Sequence, residues 1–114
     1  MPKVGEHLLQ LACVRFFRQY YPDLYRNLWH TNGRAINASN GAVLKGMGVV
    51  AGVSDLLFFY KGTLHGIELK MGNGRQSDEQ KEFEKMLKAN GGRYYIVRTL
   101  DSFANLINEI IKNG

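Results

Sequence analysis

The sequence is poor in cysteine and proline, and it contains no long apolar run. Its 114 residues include one cysteine and two prolines. A single cysteine, Cys13, excludes an internal disulfide and a thiolate cluster for zinc, and its apolar neighbours predict a small buried hydrophobe. No apolar stretch approaches the roughly 18–20 residues that cross a bilayer, and the N-terminus lacks the apolar core of a secretory signal. These absences predict a cytoplasmic protein that does not enter a membrane.

Acidic residues are also fewer than basic ones. Lys and Arg number 15 and Asp and Glu number 10, which gives a net charge of +5. A positive charge suits a polyanionic partner, because neutralising phosphates releases counterions. Charge alone does not single out nucleic acid, since many basic proteins never bind it. The length, with 45% hydrophobic and 22% charged residues, predicts one globular domain over residues 1–114.

The spacing of apolar residues predicts an α/β domain with a mixed central sheet flanked by helices, in the order α-β-β-β-α-β-α. The first helix runs from about Val4 to Tyr20, with one apolar face, and Pro22 ends it. That predicted face consists of Val4, Leu8, Leu11, Ala12 and Phe16. The other predicted elements are strands at 27–30, 55–60, 63–70 and 93–98, a helix at 77–90 whose buried stripe is Phe83, Met86 and Leu87, and a last helix from Asp101 that carries Phe103, Leu106, Ile107, Ile110 and Ile111.

The segment between Thr31 and Gly52 is rich in Gly and Asn and has no steady hydrophobic period. We expect a mobile connection, in which residues 42–47 could form a short helix. Long connections without structure are uncommon in compact domains and are often functional. A merely flexible surface loop is the other interpretation.

The candidate site lies on the hairpin made by strands 55–60 and 63–70. If Lys61 and Gly62 are its only two loop residues, the numbers of directly opposed residues add up to about 123, by the pairing rule of antiparallel strands. Asp55 then lies opposite Glu68 and on the same face, and Lys70 projects from that face too. A three-residue loop with a bulge would instead place Asp55 and Glu68 on opposite faces.

Two opposed carboxylates repel each other, and a divalent cation between them reverses the sign of that interaction. A lysine beside the cation could orient an attacking water or stabilise charge developing at phosphorus. A surface hairpin with incidental charges is the alternative. Against it, Asp55 begins a strand that is apolar on both faces, and buried charges without partners are costly. The residues therefore favour a metal site built from Asp55, Glu68 and Lys70.

These residues resemble a known family. Gly52-Val53-Ser54-Asp55, then Ile67-Glu68-Leu69-Lys70, then Gly74 through Ser77 to Gln80 are similar to motifs of the VRR-NUC (virus-type replication-repair nuclease) family, within the PD-(D/E)XK nuclease superfamily. The resemblance implies a restriction-endonuclease-like core and a nuclease, a hydrolase that cuts DNA. It also implies that Asp55, Glu68 and the backbone carbonyl of Leu69 ligate Mg²⁺ or Mn²⁺, and that Lys70 is the catalytic lysine. Ser54 departs from the pattern, because a proline is common at that position.

The resemblance adds two further residues to the site. It implies that Gln80 lies close to the active site, although Gln80 also has the spacing to complete a capping box with Ser77, and the two roles are compatible. It implies that Glu6 points toward the metal, whereas a first-turn Glu can simply favour the helix dipole. The three histidines share no ligand spacing, so we expect none to be a general base; they are His7, His30 and His65.

The expected function is hydrolysis of DNA phosphodiester bonds. Residues expected to contact phosphates, from charge and position alone, are Arg34, Lys45, Arg75 and Lys81. The resemblance suggests a phage or bacterial homodimer that cuts branched DNA such as a four-way (Holliday) junction, with an interface on the last helix or on residues 16–17 and 20–21. The alternatives are a flap, single-strand or restriction-like nuclease, and a non-catalytic basic module that binds nucleic acid.

Overall fold

The hairpin that carries the candidate site is formed by two strands of a four-stranded mixed sheet. The computed structural model describes residues 4–31 and 40–114. Within these ranges the elements are α1 (Val4–Tyr20), a 3₁₀ segment (Pro22–Asn27), β1 (Leu28–His30), α2 (Gly41–Gly46), β2 (Leu56–Tyr60), β3 (Thr63–Leu69), α3 (Asp78–Ala89), β4 (Arg93–Val97) and α4 (Leu100–Asn113). The elements follow the predicted order, with the short helix α2 added inside the connection. Its ends lie one residue before those of the short helix that the sequence indicated at 42–47.

The strands lie in the order β1-β2-β3-β4. The pairs β1–β2 and β2–β3 are antiparallel, whereas β3 and β4 are parallel. The parallel pair needs a crossover, and α3 provides it between the end of β3 and the start of β4. The predicted mixed sheet with flanking helices is confirmed.

The β2–β3 turn has two residues, which is the length that places Asp55 opposite Glu68. Tyr60 pairs with Thr63 and Leu56 pairs with Ile67. Lys61 and Gly62 both have positive φ, 47° and 87°, which is the type I′ geometry that matches the twist of antiparallel strands. The predicted register is confirmed, and the bulged alternative is wrong for this chain.

One face of the sheet packs against α1 and α4. Fully buried residues of this core include Phe17, Phe58, Phe103 and Ile107, and the rings of Phe17 and Phe58 meet edge to face at 5.5 Å. Cys13 is buried here, and burial raises the pKa of its thiol to about 12. The predicted role of Cys13 as a small buried hydrophobe is confirmed.

The predicted apolar face of α1 is wrong in orientation. Leu8 and Leu11 are 60% and 54% exposed, whereas Glu6, Cys13 and Phe17 are buried. Apolar residues lie on several sides of this helix, so periodicity alone could not select the side that meets the sheet. The side chain of Glu6 takes a place in the interior that a purely apolar pattern assigns to a hydrophobe.

The opposite face of the sheet is covered by α3. Leu87 is buried there, whereas Met86 is 49% exposed and Phe83 is half-buried, so Met86 does not belong to the buried stripe that we predicted. The outgoing strand β2 is likewise buried only over its first three residues, and Phe59 is 48% exposed. Coverage by a single helix on this face accounts for both differences.

Both predicted dimer interfaces include residues of the core. Phe17 is fully buried, and Phe16 packs edge to face on Phe103 at 6.4 Å. On α4, Phe103 and Ile107 are fully buried, and its other large apolar residues contact the same core. These buried side chains stabilise the protomer itself, whereas Tyr20 is 62% exposed, and the interface of a homodimer stays a prediction. No helix in the described part of the chain is long and apolar enough to cross a membrane.

Candidate active site

Asp55 stands immediately before β2 and is 4% exposed. Its Oδ2 atom accepts the backbone N–H of Leu69 at 2.8 Å, which joins the start of β2 to the end of β3. Continuing the β2–β3 register by one residue places Asp55 opposite Glu68, and opposed residues share a face. Hairpin pairing therefore brings the two carboxylates to one end of the sheet.

Glu68 and Lys70 project from the face that α3 covers. Glu68 is fully buried and Lys70 is 6% exposed, and Lys70 Nζ lies 3.7 Å from Glu68 Oε2. The backbone N–H of Lys70 donates to Val97 O at 3.0 Å, so pairing with β4 continues past the end of β3. A buried ammonium is costly unless a carboxylate compensates it, and Glu68 supplies that charge.

Gln80 connects the first turn of α3 to this cluster. Its Nε2 donates to Glu68 Oε2 at 2.9 Å, while its Oε1 accepts the backbone N–H of Ser77 at 2.8 Å. Ser77 Oγ in turn accepts the backbone N–H of Gln80. The capping box that we predicted is confirmed, and the same amide contacts the carboxylate. Gln80 therefore caps α3 and contacts Glu68 at the same time, since each end of the amide has its own partner.

Ser77 and Gln80 offer a matched pair of substitutions. Gln80→Ala removes the side-chain half of the capping box and the contact with Glu68, whereas Ser77→Ala removes only the other half of the box, the Ser77 hydroxyl. Each should lower the free energy of unfolding by about 1 kcal/mol, as a lost N-terminal cap does. Only Gln80→Ala should also lower the rate of DNA cleavage, by roughly tenfold or more, as loss of a group that orients a ligand does. Equal cleavage by the two variants would assign Gln80 to capping only.

The negative charge near the cluster affects the pKa of the Tyr94 hydroxyl. Tyr94 pairs with Gly66 on β3, two residues before Glu68 and therefore on the same face. Burial is the main reason that the pKa of Tyr94 rises to about 12, and the nearby carboxylates of Glu68, Glu84 and Asp55 raise it further. The Tyr94 hydroxyl therefore lies in a negatively charged environment beneath α3.

Glu6 is buried in the first turn of α1, near the same end of β3. Its neighbour Gly5 packs on Met71, where a Cβ on Gly5 would lie 3.2 Å from Met71 Cγ. However, no three His, Cys, Asp or Glu side chains of residues 4–31 and 40–114 form a group that could hold a metal ion. Glu6 therefore does not complete a three-ligand group with Asp55 and Glu68, and its role as a ligand stays a prediction.

The donor set at this end of the sheet fits a hard divalent cation. Mg²⁺ commonly takes one or two carboxylates and leaves its other positions to water and phosphate. Asp55 and Glu68 supply two buried carboxylates, and Lys70 lies at ion-pair distance from Glu68. The carbonyl of Leu69, between Glu68 and Lys70, is the further candidate ligand.

The predicted phosphate contacts divide into three cases. Arg75 and Lys81 are exposed, and they lie in the segment that leads into α3 and in its first turn, on either side of the capping box. Lys45 is exposed on α2, without a described contact to the cluster. Arg34 lies outside the described residues. The structure thus places Arg75 and Lys81 nearest to the site along the chain.

Two residues that the sequence did not indicate contact the backbone around the candidate site. His30 Nδ1 lies 2.7 Å from the backbone carbonyl of Asp55. Arg98 donates to the carbonyls of Gly72 and Gly74 at 2.7 and 3.0 Å, which fixes the loop after Lys70. Both contacts go to backbone carbonyls across long sequence separations, so no spacing pattern could have indicated them.

The other two histidines stand apart from the cluster. His65 is buried on the α1 and α4 face of the sheet and stacks on the ring of Tyr95. Burial and the neighbouring Arg93 lower its pKa, which favours the neutral ring. His7 is exposed on α1. The structural interpretation of His65 agrees with this placement.

Comparison with known proteins adds one finding. No protein-family model and no curated protein matches the sequence. Among solved structures, the chain is similar to one described as a VRR_NUC domain protein, with a TM-score of 0.83 and 24% sequence identity, over 100% of this chain and 93% of that chain. At that identity the likeness establishes the fold. The chain therefore has the fold of a VRR_NUC domain, as its motifs predicted.

Proposed function

We propose that this chain is a divalent-metal-dependent nuclease that hydrolyses phosphodiester bonds in DNA. The observation that carries the proposal is the convergence of Asp55, Glu68 and Lys70, all buried, at one end of a sheet that otherwise carries mainly apolar residues. A core does not retain such a group for stability, because well-packed apolar residues serve that purpose at least as well. The fold shared with a VRR_NUC domain protein supports the same conclusion.

Asp55 and Glu68 would hold Mg²⁺ or Mn²⁺, with the Leu69 carbonyl and water as further ligands. The bound ion supplies Lewis-acid stabilisation of negative charge on the phosphate. Lys70, held 3.7 Å from Glu68, would donate to the attacking water or to the phosphate oxygen and so stabilise the charge that develops in the transition state. Gln80 orients the Glu68 carboxylate, because its Nε2 atom donates to Glu68 Oε2. The position of that oxygen is therefore fixed before the substrate binds.

Branched DNA cut by a homodimer is the finer part of the proposal. A domain of 114 residues offers little surface to enclose a duplex, and a dimer would present two sites to one junction. The basic net charge supports a DNA partner. Leu8 and Leu11, exposed and one turn apart on α1, supply an apolar surface for a second copy that does not require core residues.

Labelled four-way junctions, flaps, duplexes and single strands, incubated with Mg²⁺, Mn²⁺ or EDTA, test the proposal. The wild type should cut at least one substrate only with the divalent ion, and the junction most efficiently. Lys70→Met keeps the length of the side chain and removes its charge, and it should lower the cleavage rate by about 100- to 1,000-fold, as the loss of a transition-state donor does.

A non-catalytic DNA-binding module is the alternative, and the basic charge is the feature that favours it. It predicts binding of the same substrates without cleavage under any condition. Cleavage of a duplex or single strand in preference to the junction would retain the nuclease and overturn the branched substrate. Lys70→Met cleavage at the wild-type rate would remove Lys70 from the proposed chemistry.

A further inference from the structure

The end of β1 contacts the backbone from which the Asp55 carboxylate projects. His30 is the last residue of β1 and pairs with Leu56, the first residue of β2. Beyond that pair, side chains replace the backbone ladder: His30 Nδ1 lies 2.7 Å from the Asp55 carbonyl, and Thr31 Oγ1 donates to the Ser54 carbonyl at 3.2 Å. Two consecutive side chains of one segment thus contact two consecutive carbonyls of the other.

The contact with the Asp55 carbonyl determines which ring nitrogen of His30 donates a hydrogen bond. A carbonyl oxygen can only accept a hydrogen bond. Nδ1 of His30 must therefore carry the hydrogen, and in the neutral ring Nε2 is the unprotonated nitrogen. The contact is a directed N–H···O bond of good length. A group that donates from the Nδ1 position is what this contact requires.

Asp55 is consequently held from two sides. His30 holds its main chain, while the Leu69 N–H holds its carboxylate at 2.8 Å. Rotation of the Asp55 peptide would turn the carboxylate away from Leu69, since the side chain moves with its own backbone. A displacement of about 1 Å in a catalytic constellation can cost 100-fold in rate, so the main-chain contact bears on the proposed metal pair.

We propose that His30 is a positioning residue, whose Nδ1–H holds the Asp55 peptide and thereby aims the Asp55 carboxylate at Leu69 N–H and the cation. This proposal rests on the proposed function for its consequence in cleavage, whereas the geometric part stands on the metal-free protein. His30 and Asp55 also line a cavity of about 130 Å³ together with Gln80. A direct role of the Nε2 edge of the imidazole in this cavity is therefore the competing explanation for any effect of substitution.

Two amide substitutions separate the two edges of the ring. His30→Asn places a donor N–H near the position of Nδ1, whereas His30→Gln places it near Nε2, and His30→Ala supplies neither. Thr31→Val is the matched control, because it removes a donor to the neighbouring carbonyl of Ser54 and leaves the Asp55 contact in place. All four variants are compared with the wild type in metal-free buffer and in a titration with Mn²⁺ alone.

The first readout is hydrogen exchange of the Leu69 amide in the metal-free protein, with the Ile67 amide of the same strand as the internal reference. We expect exchange at Leu69 to rise at least about tenfold in His30→Ala and His30→Gln and to stay within threefold of wild type in His30→Asn and Thr31→Val, as the loss or retention of a single hydrogen bond predicts. Unchanged Leu69 exchange in His30→Ala would overturn the proposal. An equal rise in Thr31→Val would overturn it too, because the segment would then be loosened generally.

The second readout is the dissociation constant for Mn²⁺. It should rise roughly 10- to 100-fold in His30→Ala and His30→Gln, the usual effect of losing a group that orients a ligand, and His30→Asn should restore it. Retention by His30→Gln with loss in His30→Asn would assign the function to the Nε2 edge and overturn positioning. A wild type that neither binds Mn²⁺ nor cuts DNA refutes the proposed function, and the Leu69 exchange then still decides whether His30 positions Asp55.

Discussion

Asp55→Asn is expected to lower DNA cleavage by at least about 1,000-fold, as removal of a group central to the chemistry does, while the fold is preserved. Asparagine keeps an oxygen that can accept the Leu69 N–H, now made by Asp55 Oδ2 at 2.8 Å. It removes one of the two negative charges that would hold the cation. Activity and folding should therefore respond differently to this single change.

Thermal unfolding with and without Mn²⁺ measures that separation. Metal-free Asp55→Asn should unfold close to the wild-type temperature, because asparagine keeps an oxygen that accepts the Leu69 N–H. Mn²⁺ at 100 times its dissociation constant should stabilise the wild type by about 2.7 kcal/mol and leave the variant unchanged. Equal stabilisation of both proteins would place the ion elsewhere, and wild-type cleavage by the variant would refute the role of Asp55.

Gly52→Ala is expected to have the largest effect on stability, with a loss of about 3 kcal/mol or more, the range reached when overpacking and backbone strain combine. Gly52 has φ of +85°, and a Cβ there would overlap the backbone oxygen of Glu79. That oxygen belongs to the first turn of α3, next to Gln80. The segment leading to Asp55 and the helix that carries Gln80 therefore approach each other closely only because residue 52 has no side chain.

Gly48→Ala is the control for the strain alone. Gly48 has φ of +100°, but a Cβ there would meet nothing within 4 Å. Its cost should be limited to about 1–2 kcal/mol, the penalty of a left-handed conformation for a residue with a side chain. Chemical denaturation of the two variants gives the difference, which measures the clash with α3. A Gly52→Ala protein as stable as Gly48→Ala would mean that this clash is relieved at little cost.

The hairpin and its consequences were predictable because they depend on local chemistry. A Lys-Gly turn of two residues sets the register, and the register alone brings Asp55 opposite Glu68. The capping box of Ser77 and Gln80 was likewise predictable, because the two residues are only three positions apart. Such features are decided by residues a few positions apart, so sequence periodicity carries them.

The side of α1 that packs on the sheet was not predictable in the same way. Leu8 and Leu11 are exposed while Glu6 is buried, because the helix presents apolar residues on several sides and tertiary contacts select among them. The contacts from His30 and Arg98 to distant backbone carbonyls also leave no trace in spacing. The motif thus indicated the charged residues of the candidate site, whereas the groups that hold its backbone had to be found in three dimensions.

The most direct test of the central claim is the rate of DNA cleavage as a function of Mn²⁺ concentration, measured for the wild type and Glu68→Gln. Glutamine at position 68 can still accept the Gln80 N–H, so the local hydrogen bond survives the loss of charge. We predict that wild-type cleavage is absent in EDTA and rises to saturation with Mn²⁺, and that Glu68→Gln does not cut at any concentration. Wild-type cleavage that persists in EDTA, or a Glu68→Gln protein that cuts at the wild-type rate, would contradict a metal-dependent nuclease site built on Asp55, Glu68 and Lys70.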